Sequence, residues 1–261
     1  MQQKYRNLVV SPHIDDAFLS LGGMLAKEAS RKQKILNVFT ITKFAPRGKC
    51  PKGDIVCVSK LRKEEELLNC RSVAAEVNFL EFLDAPIRLQ KGLDAIDFDS
   101  EKRTSDGIKE KIRIDLHDSE RVFFPLAIGR HIDHVLICKI GLELITEGDN
   151  PSNIYFYEDQ PYSARKHKAY SLIDPNINMA RMRHSFVSIS FRKKWKLMTT
   201  YQSQFSNRIY REVVVYAKRI RPLGTFYERI WQIADPALAA EILVEKAKKD
   251  EERKMNPALK L

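Results

Sequence analysis

Two short stretches carry residue types that could do chemistry together. The first is Leu8-Val9-Val10-Ser11-Pro12-His13-Ile14-Asp15-Asp16, an apolar run that stops at a proline and then offers one imidazole and two carboxylates. The second is Gly129-Arg130-His131-Ile132-Asp133-His134, which again follows an apolar run. A catalytic zinc site takes about three protein ligands and keeps a further position for water, and two histidines with one carboxylate are a usual set. His13 and Asp16 stand three apart, so a strand end turning into a helix start aims both at one point and leaves Asp15 beside it. A metal ion lowers the pKa of its water to about 7, and a neighbouring carboxylate can take the proton. His131 and His134 are also three apart, so that one can ligate the metal while the other faces a reacting carbonyl. The pair of stretches reads as a metal-activated hydrolytic site.

The pattern Pro12-His13-x-Asp15-Asp16, followed by Gly129-x-His131-x-Asp133-His134, resembles the PIG-L/LmbE-like family of zinc-dependent N-deacetylases. Tyr201-Gln202-Ser203-Gln204 extends the likeness to roughly residues 6–205. The resemblance implies His13, Asp16 and His134 as metal ligands, Asp15 as general base and His131 as the stabiliser of the tetrahedral intermediate. It implies Asp133 as the carboxylate that orients His131. Zinc is the implied cofactor, with Fe2+ an alternative in similar ligand sets, and the implied substrate is an N-acetylated amino-sugar conjugate. Ile14 stands where the family commonly has proline, and Ala17 where it commonly has glutamate. Neither position is a ligand, so these departures bear on the substrate rim.

The elements that must position these residues follow from periodicity. Asn7–Ser11, Ile35–Thr42, Asn78–Leu83, Arg121–Ile128 and Asn153–Tyr157 read as strands, short and apolar with polar or turn boundaries. Helices are expected over Ala17–Lys32, Lys60–Val77, Gly107–Leu116 and His134–Glu147, with Gly22-Gly23 allowing the first to pack closely on a sheet. Further on come a strand over Ser185–Ser190, a helix over Lys193–Tyr201 and a strand over Glu212–Ala217. Residues 43–59 form a long loop, 87–106 an insertion, and Asp235-Pro236 caps a last helix that becomes a charged tail. Alternating strands and helices imply an α/β, Rossmann-like three-layer fold with a mostly parallel sheet, read as one domain over residues 1–261 with the tail from about 235. Ligands in such folds sit beyond the carboxyl ends of strands, where both stretches fall.

Composition narrows the partners. The chain has 261 residues and a formal net charge of +11. That balance favours a substrate whose non-sugar part is anionic, such as a diphosphate conjugate, or peripheral contact with an anionic membrane surface. No groove-reading motif accompanies the charge, so nucleic acid is not expected as a partner. No run of about 20 apolar residues is present to span a membrane. The polar start leads straight into a strand without a secretion signal, and Cys50, Cys57, Cys70 and Cys138 show no CxxC spacing. A cytoplasmic protein with free thiols is the simplest reading, a Cys50–Cys57 bridge the minor one. Oligomeric state is not legible.

Several residues have competing roles. Arg62 reads best as a solvated helix charge, with a substrate contact as the alternative. Asp84 is divided between a sugar-hydroxyl contact and a turn cap, and Glu158, Asp159 and Tyr162 between lining the pocket and not. His117, His167 and His184 read as surface histidines, and the basic clusters at 165–168 and 192–196 as solvated faces. Ser11 beside His13 lacks a G-x-S-x-G elbow, and no P-loop or G-x-G-x-x-G is present. The alternatives to a sugar N-deacetylase are an amidase acting on a larger acyl or thiol conjugate and a non-catalytic sugar-binding domain. Asp15 and His131 argue against the last, because binding alone needs neither.

Overall fold

Leu8 and Val10 pack with Leu36, Val38, Val122 and Phe124 in one core cluster, while Val9 packs with Ile35 and Phe123 in another. Alternate side chains of one strand therefore face two different cores. That is the signature of a sheet covered on both sides. In the computed structural model, which describes residues 4–89, 100–149, 153–165, 182–221, 224–233 and 235–243, the chain begins with β1 (Tyr5–Ser11), α1 (Asp16–Lys27), β2 (Gln33–Ile41), α2 (Ile55–Ser72) and β3 (Ala75–Leu83). A single turn, α3 (Ala85–Arg88), and α4 (Lys102–Leu116) lead to β4 (Ser119–Pro125), α5 (Ile132–Thr146) and β5 (Ile154–Tyr157). There follow β6 (Arg183–Ile189), α6 (Phe191–Met198), α7 (Asn207–Arg219) and β7 (Phe226–Gln232).

The strands lie in the order β3-β2-β1-β4-β5-β7-β6. β1 to β5 are parallel, and β7 joins antiparallel to β5 and to β6. The expected α/β, mostly parallel sheet is thus present, with an antiparallel pair at one edge. α4 and α5 cover one face through Ile108, Ile112, Leu136 and Ile140, and α1 covers the other through Phe18, Leu21 and Leu25. β1 and β4 are neighbours, yet the chain leaves them toward opposite sides of the sheet. Their carboxyl ends form the topological switch point, the place where such sheets open a crevice. The two chemistry-bearing stretches follow these two strands.

Several boundaries differ from expectation. Residues 212–217 are helical, within α7. The β-branched run Val213-Val214-Val215 favours a strand, but Tyr210, Val213 and Ala217 are buried while Val215 is 50% exposed, which is helical periodicity. The strand at this end of the chain is β7. α2 starts at Ile55, because the Asp54 carboxylate caps it by accepting from the Cys57 N–H at 2.9 Å. Cys50 and Cys57, expected as free thiols, form a disulfide with Cα atoms 5.8 Å apart, pinning the loop to the first turn of α2, while Cys70 and Cys138 are free. α4 begins at Lys102, inside the expected insertion, of which residues 90–99 lie outside the described part. Asp235 accepts from the Ala237 N–H at 2.9 Å ahead of a helix over residues 236–243, and the tail from 244 lies outside the described residues. No described helix is long and apolar enough to cross a membrane.

The basic stretch 192–196 is not uniformly solvated. Lys194 is 2% exposed, and its Nζ donates to Glu228 at 2.6 Å and to the Leu19 carbonyl at 2.7 Å. Glu228 in turn accepts from the Gly23 and Met24 N–H groups at 2.8 and 2.7 Å. Gly23 lets β6 pack closely on this turn, since a Cβ there would lie 2.6 Å from Ile189. The ion pair thus binds polar groups on both sides of one turn of α1. Removing one member of a buried pair strands the other charge, at a cost of about 3–5 kcal/mol. Lys194→Met is expected to lower the urea-unfolding free energy by roughly that amount, and Lys194→Met with Glu228→Leu by clearly less. A double variant that loses as much as Lys194→Met or more would show that a stranded Glu228 charge is not the source of the loss.

Candidate active site

β1 ends at Ser11, whose hydroxyl donates to the His13 carbonyl at 2.7 Å and accepts from the Ala17 N–H at 3.1 Å. The hydroxyl is committed to the turn, which agrees with setting it aside as a nucleophile. The turn places Asp16 in the first turn of α1, where the helix dipole favours an anion. His134 enters from the first turn of α5. His13 Nδ1, His134 Nε2 and Asp16 Oδ2 then converge: the two nitrogens are 3.2 Å apart, and the oxygen lies 3.3 Å from the first and 3.1 Å from the second. Bonds of roughly 2.0–2.1 Å at a tetrahedral centre set ligand atoms about 3.3–3.4 Å apart, so the triangle has the edge length of one metal ion's ligand face.

The hydrogen bonds behind the triangle fit the same purpose. His13 Nε2 lies 2.9 Å from Asp133 Oδ2, and His134 Nδ1 lies 2.6 Å from Asp159 Oδ1. Each carboxylate takes the proton-bearing nitrogen of its histidine and turns the other lone pair toward Asp16, which is how metal-ligating histidines are oriented. Asp159 is itself held by the Ile128 N–H at 2.9 Å. Burial works against a charged His13, yet Asp133 and Asp16 push it up to about 9. His134 is raised well above the ordinary range, Asp16 and Asp159 outweighing burial. Burial also opposes ionised Asp16, but His134 and His13 hold its carboxyl well below the usual range. Two N–H groups cannot face each other across 3.2 Å, so this field calls for one positive charge shared among three atoms. A divalent cation meets that requirement.

Asp15 occupies the N-cap position of α1, but its side chain makes no cap hydrogen bond, and its φ of 125° is unusual for any residue but glycine. Its carboxylate turns instead to Arg62 of α2, whose Nη2 is 2.9 Å away and also donates to the Ile14 carbonyl. Burial, with the charge of Asp16, pushes the Asp15 carboxyl up to about 7 against the pull of Arg62 and His13. Arg62, read from sequence as solvated, is 4% exposed, and that reading is corrected: its position on the buried face of α2 brings it under the turn.

His131 is the N-cap of α5, and its Nδ1 accepts from the Asp133 N–H at 3.3 Å. That bond leaves the ring proton on Nε2. Burial, and then the charges of His13 and His134, lower its pKa to about 3, so the ring is a neutral donor. Ligand atoms of His13, His131 and His134 lie within 4.8 Å of one another, but the set with Asp16 is tighter and leaves His131 outside the triangle. The orientation of His131 by Asp133 is corrected. The Asp133 carboxylate is 4.0 Å from His131 Nδ1 and 2.9 Å from His13, because the first turn of α5 carries it toward β1. Gly129 has a φ of +96°, and a Cβ there would sit 2.5 Å from the Tyr162 ring, which packs edge-on to His134 at 5.9 Å. Asp84 is not a turn cap: Thr42 donates to its Oδ2, and its buried Oδ1 has no partner among the described residues. Glu158 lies outside the cluster, bound by Arg229, Trp231 and Tyr216. His117 and His184 are surface residues, and His167 lies outside the described residues.

Residues 8–145 match the protein-family model PIG-L, described as GlcNAc-PI de-N-acetylase. The chain belongs to this family. It is 31% identical over 229 residues to 2'-N-acetylparomamine deacetylase of Streptomyces fradiae, covering 83% of this chain and 80% of that protein. Among solved structures it resembles the zinc-inhibited form of teicoplanin deacetylase, with 24% identity, 87% and 97% coverage and a TM-score of 0.68. It also resembles N,N'-diacetylchitobiose deacetylase from Pyrococcus horikoshii, with 14% identity, 88% and 85% coverage and a TM-score of 0.61. Those two likenesses concern the fold. The family match covers both chemistry-bearing stretches of this PIG-L protein and ends before Asp159, the anchor of His134.

Sequence reasoning missed Arg88 and Glu66. Glu66 is fully buried on α2, accepting from the Asn37 amide at 2.9 Å and from the Tyr201 hydroxyl. Burial pushes its carboxyl from 4.5 up to about 7 despite those two donors. Between these values the folded protein keeps a proton that the unfolded chain has released, so stability falls as pH rises through the window. Comparing urea midpoints at pH 5 and pH 8, wild type should lose up to about 3 kcal/mol more than Glu66→Gln. Parallel pH profiles would remove Glu66 as the source.

Proposed function

We propose that this chain is a metal-dependent N-deacetylase that hydrolyses the acetamide of an amino-sugar conjugate to acetate and a free amine. The observation that carries the reading is the triangle of His13 Nδ1, Asp16 Oδ2 and His134 Nε2, with both histidines turned into it by buried carboxylates. These three residues would hold a zinc ion, which when bound would supply Lewis acidity and lower the pKa of water toward neutrality. Asp15, buried and raised to about 7, takes a proton from the water that attacks the acetamide carbon. The same carboxyl then gives a proton to the departing amine. His131, neutral with its proton on Nε2, donates to the carbonyl oxygen as that atom gains negative charge. Arg62 keeps Asp15 in its strained backbone geometry and so aims the base. The amino-sugar substrate class is supported by the likeness to 2'-N-acetylparomamine deacetylase.

Three measurements test this reading. Purified protein should hold about one divalent ion per chain, as a mononuclear hydrolytic site requires. Asp15→Asn should keep that ion and lower kcat by about 10²-fold or more. His131→Ala should keep it and lose roughly 10²- to 10³-fold. Acetate release from a panel of N-acetylhexosamine conjugates reads both rates, and wild-type kcat in either variant would overturn the role given to that residue.

The loop after β2 leaves the carboxyl end of that strand, the same end of the sheet as the site, and carries exposed Lys43, Arg47, Lys49 and Lys52. Such a rim concentrates anions over about 8 Å at physiological salt. We extend the proposal to an anionic aglycone: kcat/KM for a diphosphate-bearing conjugate should fall between about 50 and 200 mM salt, while that for a neutral conjugate holds steady. Identical salt responses would leave the deacetylase reading in place and remove the charge selection.

A further inference from the structure

His13 depends on Asp133, and Asp133 depends in turn on a residue far from the two motifs. Asp133 is completely buried, and its Oδ2 is shared between His13 Nε2 at 2.9 Å and the Ala85 N–H at 3.0 Å. Among the described residues its Oδ1 takes one donor, Nη2 of Arg88, at 2.7 Å. Arg88 ends the short α3 turn, and each of its nitrogens is committed. Nε donates to both oxygens of Glu101 at 3.0 and 2.9 Å, and Nη1 to the Leu83 carbonyl at 2.5 Å. The guanidinium also lies 4.7 Å from the centre of the Phe39 ring, which itself faces His13 at 6.2 Å. Glu101 is 4% exposed and Asp133 completely buried, with Arg88 partly buried between them.

The geometry points to Arg88, clamped by Glu101, as a positioning residue for the metal centre. The inference rests on the metal-site reading above. A carboxylate with one oxygen unpaired in a buried site swings or recruits water to recover a donor. If Asp133 moved, His13 would lose the acceptor that fixes its Nε2 proton and would no longer be compelled to present the Nδ1 lone pair to Asp16 and His134. Arg88 therefore selects tautomer and ring orientation through one intermediate residue. The guanidinium fork is needed because two different carboxylates must be met at fixed angles, which a lysine ammonium cannot do with equal rigidity. The remaining role open to Arg88 is to tie the end of α3 to the start of α4, and that role alone would affect folding without affecting metal retention.

The test uses the full chain in wild-type form and as Arg88→Met, Arg88→Lys and Glu101→Gln, with circular dichroism to establish folding. Zinc affinity is measured by competition with a chromophoric chelator, and the visible spectrum of the cobalt-substituted protein reports ligand geometry. Loss of an outer partner of a metal-bound histidine commonly lowers metal affinity by about 10- to 100-fold, and Arg88→Met is expected in that range with an altered cobalt spectrum. Arg88→Lys should recover part of the affinity, and Glu101→Gln should lose less than Arg88→Met. A folded Arg88→Met protein with wild-type affinity and spectrum overturns the inference. If that variant fails to fold, the other two decide, and wild-type affinity in both overturns it. A wild-type chain that binds no divalent metal is a different result, and it would overturn the metal-site reading itself.

Discussion

Everything at this site depends on two buried carboxylates, each holding one histidine by its far nitrogen. Without Asp133 and Asp159, the rings of His13 and His134 could turn or change tautomer, and the two nitrogens beside Asp16 Oδ2 would lose their common focus. Burying charge is expensive unless each charge is answered. Here each answer comes from a different part of the fold. Asp133 is met by Arg88 and by the α3 backbone, and Asp159 by the backbone after β4. The switch point between β1 and β4 is the one place in this topology where turns from β1, β3, β4 and β5 all end within reach of one another.

The same constraint accounts for the strain at Asp15. Two adjacent carboxylates follow β1, and only one can join the triangle without adding a second negative charge to it. The left-handed backbone at Asp15 separates them, sending Asp16 toward the histidines and Asp15 toward Arg62. A strained φ costs of order 1–3 kcal/mol and persists only where its surroundings enforce it. Arg62 does so from outside, by binding both the Ile14 carbonyl and the Asp15 carboxylate. Side-chain division of labour between two neighbouring aspartates thus becomes a backbone property.

Much of this was legible in the sequence because it is local. An apolar strand, a break and a His/Asp pair state their purpose within nine residues, and the alternation of strands and helices puts both stretches at one end of a sheet. What was not legible is whatever depends on distant residues meeting. Arg62, Arg88 and Glu66 lie on helical turns that look like ordinary charged faces, since nothing in a helix's own periodicity says that a charge will be buried by another element. Asp133 was assigned to the nearer histidine in sequence, whereas the turn into α5 directs it to the farther one. The run of valines in α7 carried a strand signal that burial of Tyr210, Val213 and Ala217 on one face overruled. The disulfide has no sequence signature, because a seven-residue separation is compatible with many loop shapes.

The antiparallel edge and the helices of the C-terminal third contribute none of the six residues at the centre, yet they bear on its geometry through α1. That helix carries Asp16 at one end and, two turns on, receives the Lys194–Glu228 pair from α6 and β7. Lys194 binds the Leu19 and Ser20 carbonyls, and Glu228 the Gly23 and Met24 N–H groups. An ion pair in that place ties the axial position of α1 to the far edge of the sheet. The same helix carries Asp16, one corner of the His13–Asp16–His134 triangle, in its first turn. The C-terminal elements thus brace the helix whose first turn carries Asp16, so the frame around the chemistry of β1 and β4 extends well beyond those strands.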